Sequence, residues 1–470
     1  MYDLTPISLE SVYKDFAKYH VYSPLQTVPW SSLEIGAHWL SLNKLSLLKN
    51  RPQLLSYDAV ISMIDMKKSA TAIWNQVFRS KRQLLDCPSF KISFVQFLHS
   101  YARGESVYIL WLAIQKEEIR AFEKIIDKKL RSIIIGSIYS LILGHMLYGD
   151  LDDEISSLWF EFRSGIGMSF FNSQYHRKIS EYLGKKCLGY SDVGKYDSRQ
   201  AQYLQQLAAN SADYVYSIKR VNFYDLLGSL QPIAVELGMV DFVVDVPYLR
   251  ARLIEDGVFG PVIMPDGTVV TKNTGEDSGN HRTGHSNTDR YKIVEFAAAY
   301  DCGFKSYKEY RNSQYVTDHT GDDMIHGGPD YRIMDRMNEI WLSLNCDVET
   351  HKVDSVSKLE YLGTNPLLIR WYGLLRFVPR TNSSKIIAAL MAKLTTREID
   401  VDISRLSSAK ILCHYTEDRE VIDDVIKQYL VDHPQCRKDK RWWSDTDIHS
   451  FYVGHFESST SFDLLLSNLL

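Results

Sequence analysis

A glycine followed by two aspartates, Gly321-Asp322-Asp323, stands between two strand-like runs, SQYVTDHT before it and MIHGG after it. A tight turn joining neighbouring strands fits that pattern, because glycine supplies the backbone freedom and the flanking runs supply the pairing. Adjacent carboxylates on such a turn present hard oxygen ligands suited to Mg2+, and a plain solvated Asp-Gly turn is the competing reading. A second carboxylate pair, Asp192 and Asp197, directly follows the apolar run 188–191. Two metal ions that clamp a phosphoryl transfer need carboxylates from separate, converging elements. Asp192 and Asp322 fit that requirement, against the alternative of loop-capping aspartates.

Between the two pairs lies a polar stretch, Asp277-Ser278-Gly279-Asn280-His281-Arg282-Thr283-Gly284-His285-Ser286-Asn287-Thr288. Ser278-Gly279 gives a backbone that bends freely near a substrate, and Thr283 and Asn287, at i and i+4, share one face of the helix predicted to follow. That face is suited to reading a ribose; a Ser278 N-cap on an ordinary polar helix is the alternative. Pro265-Asp266-Gly267, between PVIM and TVVTK, predicts a hairpin. Four cations, Lys116, Arg120, Lys124 and Lys128, recur at i, i+4 steps, with Glu117, Glu118, Glu123 and Asp127 interspersed. Like charges at that spacing destabilise a helix unless acids relieve them, so the segment is either a solvated helix face or an extended cationic lining.

Apolar spacing over 40–48 and 94–112 predicts a mostly helical first 185 residues. From Cys187 the texture becomes α+β: strand-like runs at 189–191, 258–264, 268–271 and 313–317 alternate with helical stretches such as 201–212 and 333–344. Helix returns near the C-terminus at 383–394 and 421–430. A composition of 45% hydrophobic and 24% charged residues excludes a disordered, collagenous or membrane-dominated chain. The formal charge of −4 confines any basic surface to local patches. Six scattered cysteines predict free thiols in a reducing compartment, and the polar N-terminal residues argue against a signal peptide. The uncharged stretch 132–149 just reaches membrane-spanning length, but its Ser, Gly, His and Tyr content predicts a buried strand and helix instead.

The order Asp-x4-Asp, Ser-Gly-x3-Thr-x3-Asn, Gly-Asp-Asp resembles motifs A, B and C of viral RNA-dependent RNA polymerases. Upstream, Lys116-Glu117-Glu118-Ile119-Arg120, Glu123-Lys124 and Lys128-Lys129-Leu130-Arg131-Ser132-Ile133 look like motif F of the picornavirus-like group. Asp65-Met66-Lys67-Lys68-Ser69-Ala70-Thr71 and Lys81-Arg82-Gln83-Leu84-Leu85-Asp86 are similar to motif G, although Ala70 and Thr71 stand where Gly and Pro are usual. Lys352 and then Leu359-Glu360-Tyr361-Leu362-Gly363 resemble motifs D and E, with Lys358 as a rival for the motif D lysine. His281 and Arg282 replace the small residues common in motif B.

The resemblance implies a right hand of α+β class: fingers over 1–185, palm over 186–214 and 276–364, a fingers insertion over 215–275, and a helical thumb over 365–470. It implies RNA-templated RNA synthesis from NTPs, with two Mg2+ ions, replaceable by Mn2+, on Asp192 and Asp322, and Asp323 as an auxiliary ligand. Asp197, Ser278, Gly279, Thr283 and Asn287 would recognise the ribose, which favours ribonucleotides over DNA precursors. Arg120, Lys124, Lys129 and Arg131 would receive the triphosphate, Arg131 through the fork of its guanidinium. Lys352 would protonate the pyrophosphate leaving group. Ser69 and Thr71 would guide the template. Arg437, Lys440 and Trp442 would grip exiting duplex or stack a first nucleotide, against the alternative of an exposed basic loop with the tryptophan packed inside. The expected partners are template and nascent RNA, NTPs and other viral replication or capsid proteins, without an integral membrane span. The expected location is the host cytoplasm or the virion. A metal-dependent nuclease and a non-catalytic RNA-binding or membrane-associated replication protein are the competing functions.

Overall fold

A computed structural model describes residues 2–6, 8–20, 27–71, 73–127, 130–194, 196–199, 201–275, 282–393 and 399–454. Along the chain, strand β1 (Tyr2–Leu4) precedes the long helix α1 (Trp30–Leu47), and further helices, of which Pro88–Ala102 ends before the predicted limit at 112, then lead to β2 (Trp111–Gln115), β3 (Ile119–Ala121) and β4 (Ser132–Gly136). Helix α2 (Ile138–Ser157) continues directly from β4, so the uncharged stretch is a strand and a helix, as its polar content predicted. Among the described residues no helix is long and apolar enough to cross a membrane. After the short α3 (Gln174–Ser180) comes β5 (Cys187–Gly194), and then a small antiparallel pair, β6 (Arg220–Asn222) with β7 (Val243–Asp245).

The hairpin predicted at Asp266-Gly267 joins β8 (Val262–Ile263) to β9 (Val269–Val270), with Gly267 at φ 87°. Its first strand is shorter than the run 258–264 suggested, because Val258 and Phe259 end the helix Val246–Phe259. Next come α4 (Thr283–Asp301), β10 (Val316–Thr320), β11 (Asp323–Gly328), α5 (Arg332–Ser343) and β12 (Asp347–Val353). The C-terminal part opens with a hairpin, β13 (Thr364–Trp371) and β14 (Leu374–Thr381), before its helices α6 (Ser383–Lys393), α7 (Ile399–Leu412), α8 (Arg419–Asp432) and α9 (Asp445–Val453).

The four-stranded sheet in the middle has the order β10-β11-β5-β12, with every pair antiparallel. Side chains alternate between its faces. Gly189, Ser191 and Val193 turn toward the helices: Ser191 Oγ lies 3.0 Å from the Tyr291 hydroxyl of α4, and Val193 joins the main core with Met334 of α5. On the other face Leu188 packs with Ile325, Tyr175 and Leu359 in a second core, and that face opens at the end where Asp192 stands.

A second sheet, β4-β2-β8-β9, ties residues of the first 136 to the hairpin after 260, with β2 and β8 running parallel. Strand β1 pairs with β3, and both lie beside α6, so the N-terminal part touches the C-terminal helices. The centre of the molecule is the packing of α1 on α4, close enough at Gly36 that a Cβ there would collide with the Ile293 carbonyl oxygen. Charges buried along α4 are paired, as desolvation demands. Lys44 of α1 meets Asp289 at 2.8 Å, and Arg282 meets Asp152 of α2 at 2.9 Å and Asp289 at 3.1 Å.

Candidate active site

Strand pairing brings the predicted carboxylates together. Asp192, near the end of β5, is the direct cross-strand partner of Asp323 on β11, and Asp322 occupies the turn just before β11. Gly321 adopts φ 63°, a conformation that glycine takes without strain. The turn is held from behind by α4, where Thr288 Oγ1 accepts the Gly321 N–H at 3.2 Å. On the far side of Asp192 its partner on β12 is Glu349, so Asp323, Asp192 and Glu349 form a row across three strands. Glu349 was not found from the sequence, and Glu360 and Thr288, which stand in the motif E run and the polar stretch quoted above, were given no role there. The register that places Glu349 joins strands far apart in the chain and leaves no local signal.

Crowding shapes their protonation. Partial desolvation and then the charges of Glu349 and Glu360 push the Asp192 carboxyl above the usual range. Desolvation and Asp192 do the same for Asp322, and Arg131 opposes them. Asp323 suffers most: desolvation, followed by Asp322, Asp192 and Glu360, pushes it up to about 7.

The cationic segment faces this acidic shelf. It is extended through β3 and then makes a single helical turn, Phe122–Ile126, rather than one continuous helix. Glu118 gathers three of its cations: Arg131 through two hydrogen bonds, one of 2.8 Å from Nε, Arg120 at 3.0 Å and Lys116 at 3.7 Å. Burial acts upward on the Glu118 carboxyl, but Arg131, Arg120 and Lys116 outweigh it and hold it below the usual range. The charges reach the carboxylates as well, Arg131 acting on Asp322 and Lys124 on Asp192. Lys128 and Lys129 lie outside the described residues.

Helix α4 begins at Thr283, and Asn287 follows one turn later on the same face. Asn287 is buried, its side-chain oxygen accepting from Arg290, and its carbonyl accepts the Tyr196 hydroxyl at 2.7 Å, just beyond the end of β5. Ser278, Gly279 and the side chain of Asp197 lie outside the described residues. Lys352 does not join the site. Its register partner is Gly189, so strand alternation turns it to the helix-covered face, where it meets Asp335 at 2.8 Å and lies over the Tyr331 ring. The rival Lys358 pairs with Asp354 at 2.8 Å in an exposed turn.

Ser69 is exposed, while Thr71 is half-buried at φ 74°. Near the C-terminus Arg437 and Lys440 are exposed. Trp442 donates its indole N–H to the Cys436 carbonyl at 2.8 Å and is half-buried against the apolar cluster that includes Leu406 and Ile426, so it is held within the helical C-terminal part.

With that geometry in place, the chain superposes on a solved structure, the Sicinivirus 3Dpol RNA dependent RNA polymerase, with TM-score 0.68 over 92% of this chain and 88% of that one, at 14% identity. The fold is that of a viral RNA-dependent RNA polymerase. The picornavirus-like resemblance drawn from the motif order is thereby borne out at the level of fold. The chain is also 24% identical over 216 residues to the genome polyprotein of Bean yellow mosaic virus, covering 46% of this chain and 6% of that protein. It is 24% identical over 287 residues to the genome polyprotein of Zucchini yellow mosaic virus, covering 60% of this chain and 8% of that protein. The chain thus spans less than a tenth of the length of the polyproteins it matches. No family model matches it.

Within this polymerase fold the donor set suits Mg2+. Among the described residues no three His, Cys, Asp or Glu side chains close into a ready-made cage. Mg2+ characteristically takes only one or two carboxylates and completes its shell with water and substrate phosphates, so an open shelf of repelling oxygen donors fits it.

Proposed function

We propose that this chain is an RNA-directed RNA polymerase that adds ribonucleotides to a growing strand on an RNA template, replicating and transcribing a viral RNA genome. The observation that carries the reading is the cross-strand pairing of Asp192 with Asp323, beside Asp322, on a shelf faced by Lys124 and Arg131. In this reading a 3′-hydroxyl attacks the α-phosphate of a bound NTP, and pyrophosphate leaves.

Asp192 and Asp322 would hold two Mg2+ ions, with Mn2+ able to substitute, and Asp323 would assist. When bound, such ions lower the pKa of the attacking hydroxyl and stabilise the leaving oxygens. Arg131, Arg120 and Lys124 receive the triphosphate, and Glu118 keeps the two guanidinium forks oriented while no nucleotide is present. Asp197, Ser278, Gly279, Thr283 and Asn287 form the ribose side of the site, with Asn287 fixed in place by Arg290 and Tyr196. Ser69 and Thr71 lie on the template path, and Arg437 and Lys440 offer charge to the product duplex. The fingers, palm and thumb follow the boundaries given above, and the enzyme works in the host cytoplasm or in the virion, alongside other viral replication or capsid proteins.

The test is extension of a labelled RNA primer on an RNA template with NTPs and Mg2+, comparing the parent with Asp322→Ala. Template-dependent product from the parent, reduced by about 100-fold or more in the variant, is expected. RNA shortening in place of extension would favour a metal-dependent nuclease, and product from both proteins would remove Asp322 from the site.

A further inference from the structure

The catalytic turn rests on the root of the C-terminal hairpin. Tyr361, just before β13, is buried at 1% exposure, its ring packed with Tyr175, Leu359 and Phe377. Its hydroxyl lies 2.6 Å from Thr320 Oγ1, the last residue of β10 and the residue immediately before Gly321. The same Thr320 oxygen accepts the Gly165 N–H at 2.9 Å. Gly165 allows this close approach, since a Cβ there would collide with Thr320 Oγ1 and come within 2.7 Å of the Tyr361 hydroxyl. One residue further along, Leu362 adopts φ 54°, and its backbone N–H acts downward on the Asp323 carboxyl, against the burial that pushes it up. The hairpin root thus holds the residue immediately before Gly321 through Tyr361.

We propose that the Tyr361 hydroxyl is a positioning group for the catalytic turn: through Thr320 it fixes the approach of β10 to Gly321, and so the placement of Asp322 and Asp323 relative to Asp192. The proposal rests on the reading of those carboxylates as metal ligands. Tyr361 touches no reacting atom. Its effect passes through a short chain of hydrogen bonds, and such small displacements of catalytic groups are costly. It also makes the β13–β14 hairpin a lever on the turn, because Tyr361 and Thr364 exchange backbone hydrogen bonds at the hairpin's base.

Tyr361→Phe keeps the buried ring and removes only the hydroxyl. The expected result is a fall in kcat of about tenfold with the NTP KM within about twofold. The variant should also bind Mn2+ several-fold more weakly, by calorimetry without nucleotide or RNA, at a melting temperature close to the parent's. Thr320→Val should lose at least as much, since it also removes the acceptor of the Gly165 N–H, Thr320→Ser should retain most of the activity, and the double variant Tyr361→Phe/Thr320→Val should be no worse than Thr320→Val alone, since Thr320→Val already breaks the Tyr361 link. Parent-like kcat and Mn2+ affinity in Tyr361→Phe, or additive losses in the double variant, would overturn the proposal. If the parent makes no RNA, the polymerase reading has failed, and the Mn2+ affinities still decide whether Tyr361 positions the carboxylates.

Discussion

Asp323 carries the heaviest electrostatic load in the molecule's acidic shelf, and the consequence for stability has a definite sign. In an unfolded chain an aspartate titrates at about 4, whereas in the fold desolvation and its acidic neighbours push Asp323 up to about 7. Between those values the folded state holds a proton that the unfolded state has lost. The metal-free protein therefore loses stability at this site as pH rises from about 4 to about 7, and the deficit is complete above that range. Asp323→Asn removes the repulsion, so in chelator it should stabilise the protein at pH 8 by about 1 kcal/mol and by less at pH 5. Thermal melts at the two pH values check this, and an equal gain at both would contradict it. The sequence revealed Asp192, Asp322 and Asp323 because motif order and local turn chemistry are linear information. Glu349 gave no local signal, and Thr288 and Tyr361 stood in quoted runs without a role, because their roles arise from register and packing between distant segments; the same register turns Lys352 to the helix-covered face.

Among the elements, α4 has the most to satisfy. It presents Thr283 and Asn287 at its start, supports the Gly321 turn through Thr288, packs on α1 at Gly36, and buries Asp289 between Lys44 and Arg282. Arg282, which departs from the small residues usual in motif B, finds its reason here: it ties the start of α4 to Asp152 of α2. Burial already pushes the Lys44 ammonium down, with Asp289 opposing that shift. Asp289→Ala would strand the buried Lys44 ammonium and leave Arg282 with Asp152 as its remaining carboxylate, and a loss of about 3–5 kcal/mol is expected in urea unfolding. Asp289→Ala combined with Lys44→Met should recover part of that loss by removing the orphaned ammonium. A loss below about 1 kcal/mol in the single variant would show that the network carries little of the helix's position.

At the scale of the whole molecule the cores are unequal. One apolar core runs from Val12 to Cys346, and a second sits beneath the carboxylate sheet. The C-terminal helices have smaller clusters of their own, around Leu406 and Ile426 and around Val378 and Phe451. Local stability follows buried apolar contact. Amides in α7 and α8 should therefore exchange hydrogen through partial opening while those of β5 and β11 stay protected until global unfolding. Hydrogen exchange resolved by peptide checks this, and equal protection in both regions would mean that the molecule unfolds as one unit. The alternation of texture along the chain forecast the helical C-terminal part and the strands around the site, but not the hairpin that opens that part. Its strands, β13 and β14, fall within a stretch read only as helical thumb.

The parallel pairing of β2 with β8 has a consequence for how the chain is made. On one edge Trp111 pairs early with Gly136 of β4, but its parallel partner Val262 on the other edge is synthesised only much later, and β9, which pairs with β8, comes later still. On a ribosome, this other edge of β2 is left without its partner while the segments carrying β5, β6 and β7 emerge, a long interval for an apolar strand edge to wait. Slow translation before residue 270, or a shortage of chaperones in that window, should reduce the yield of soluble protein more than the same delay placed after it.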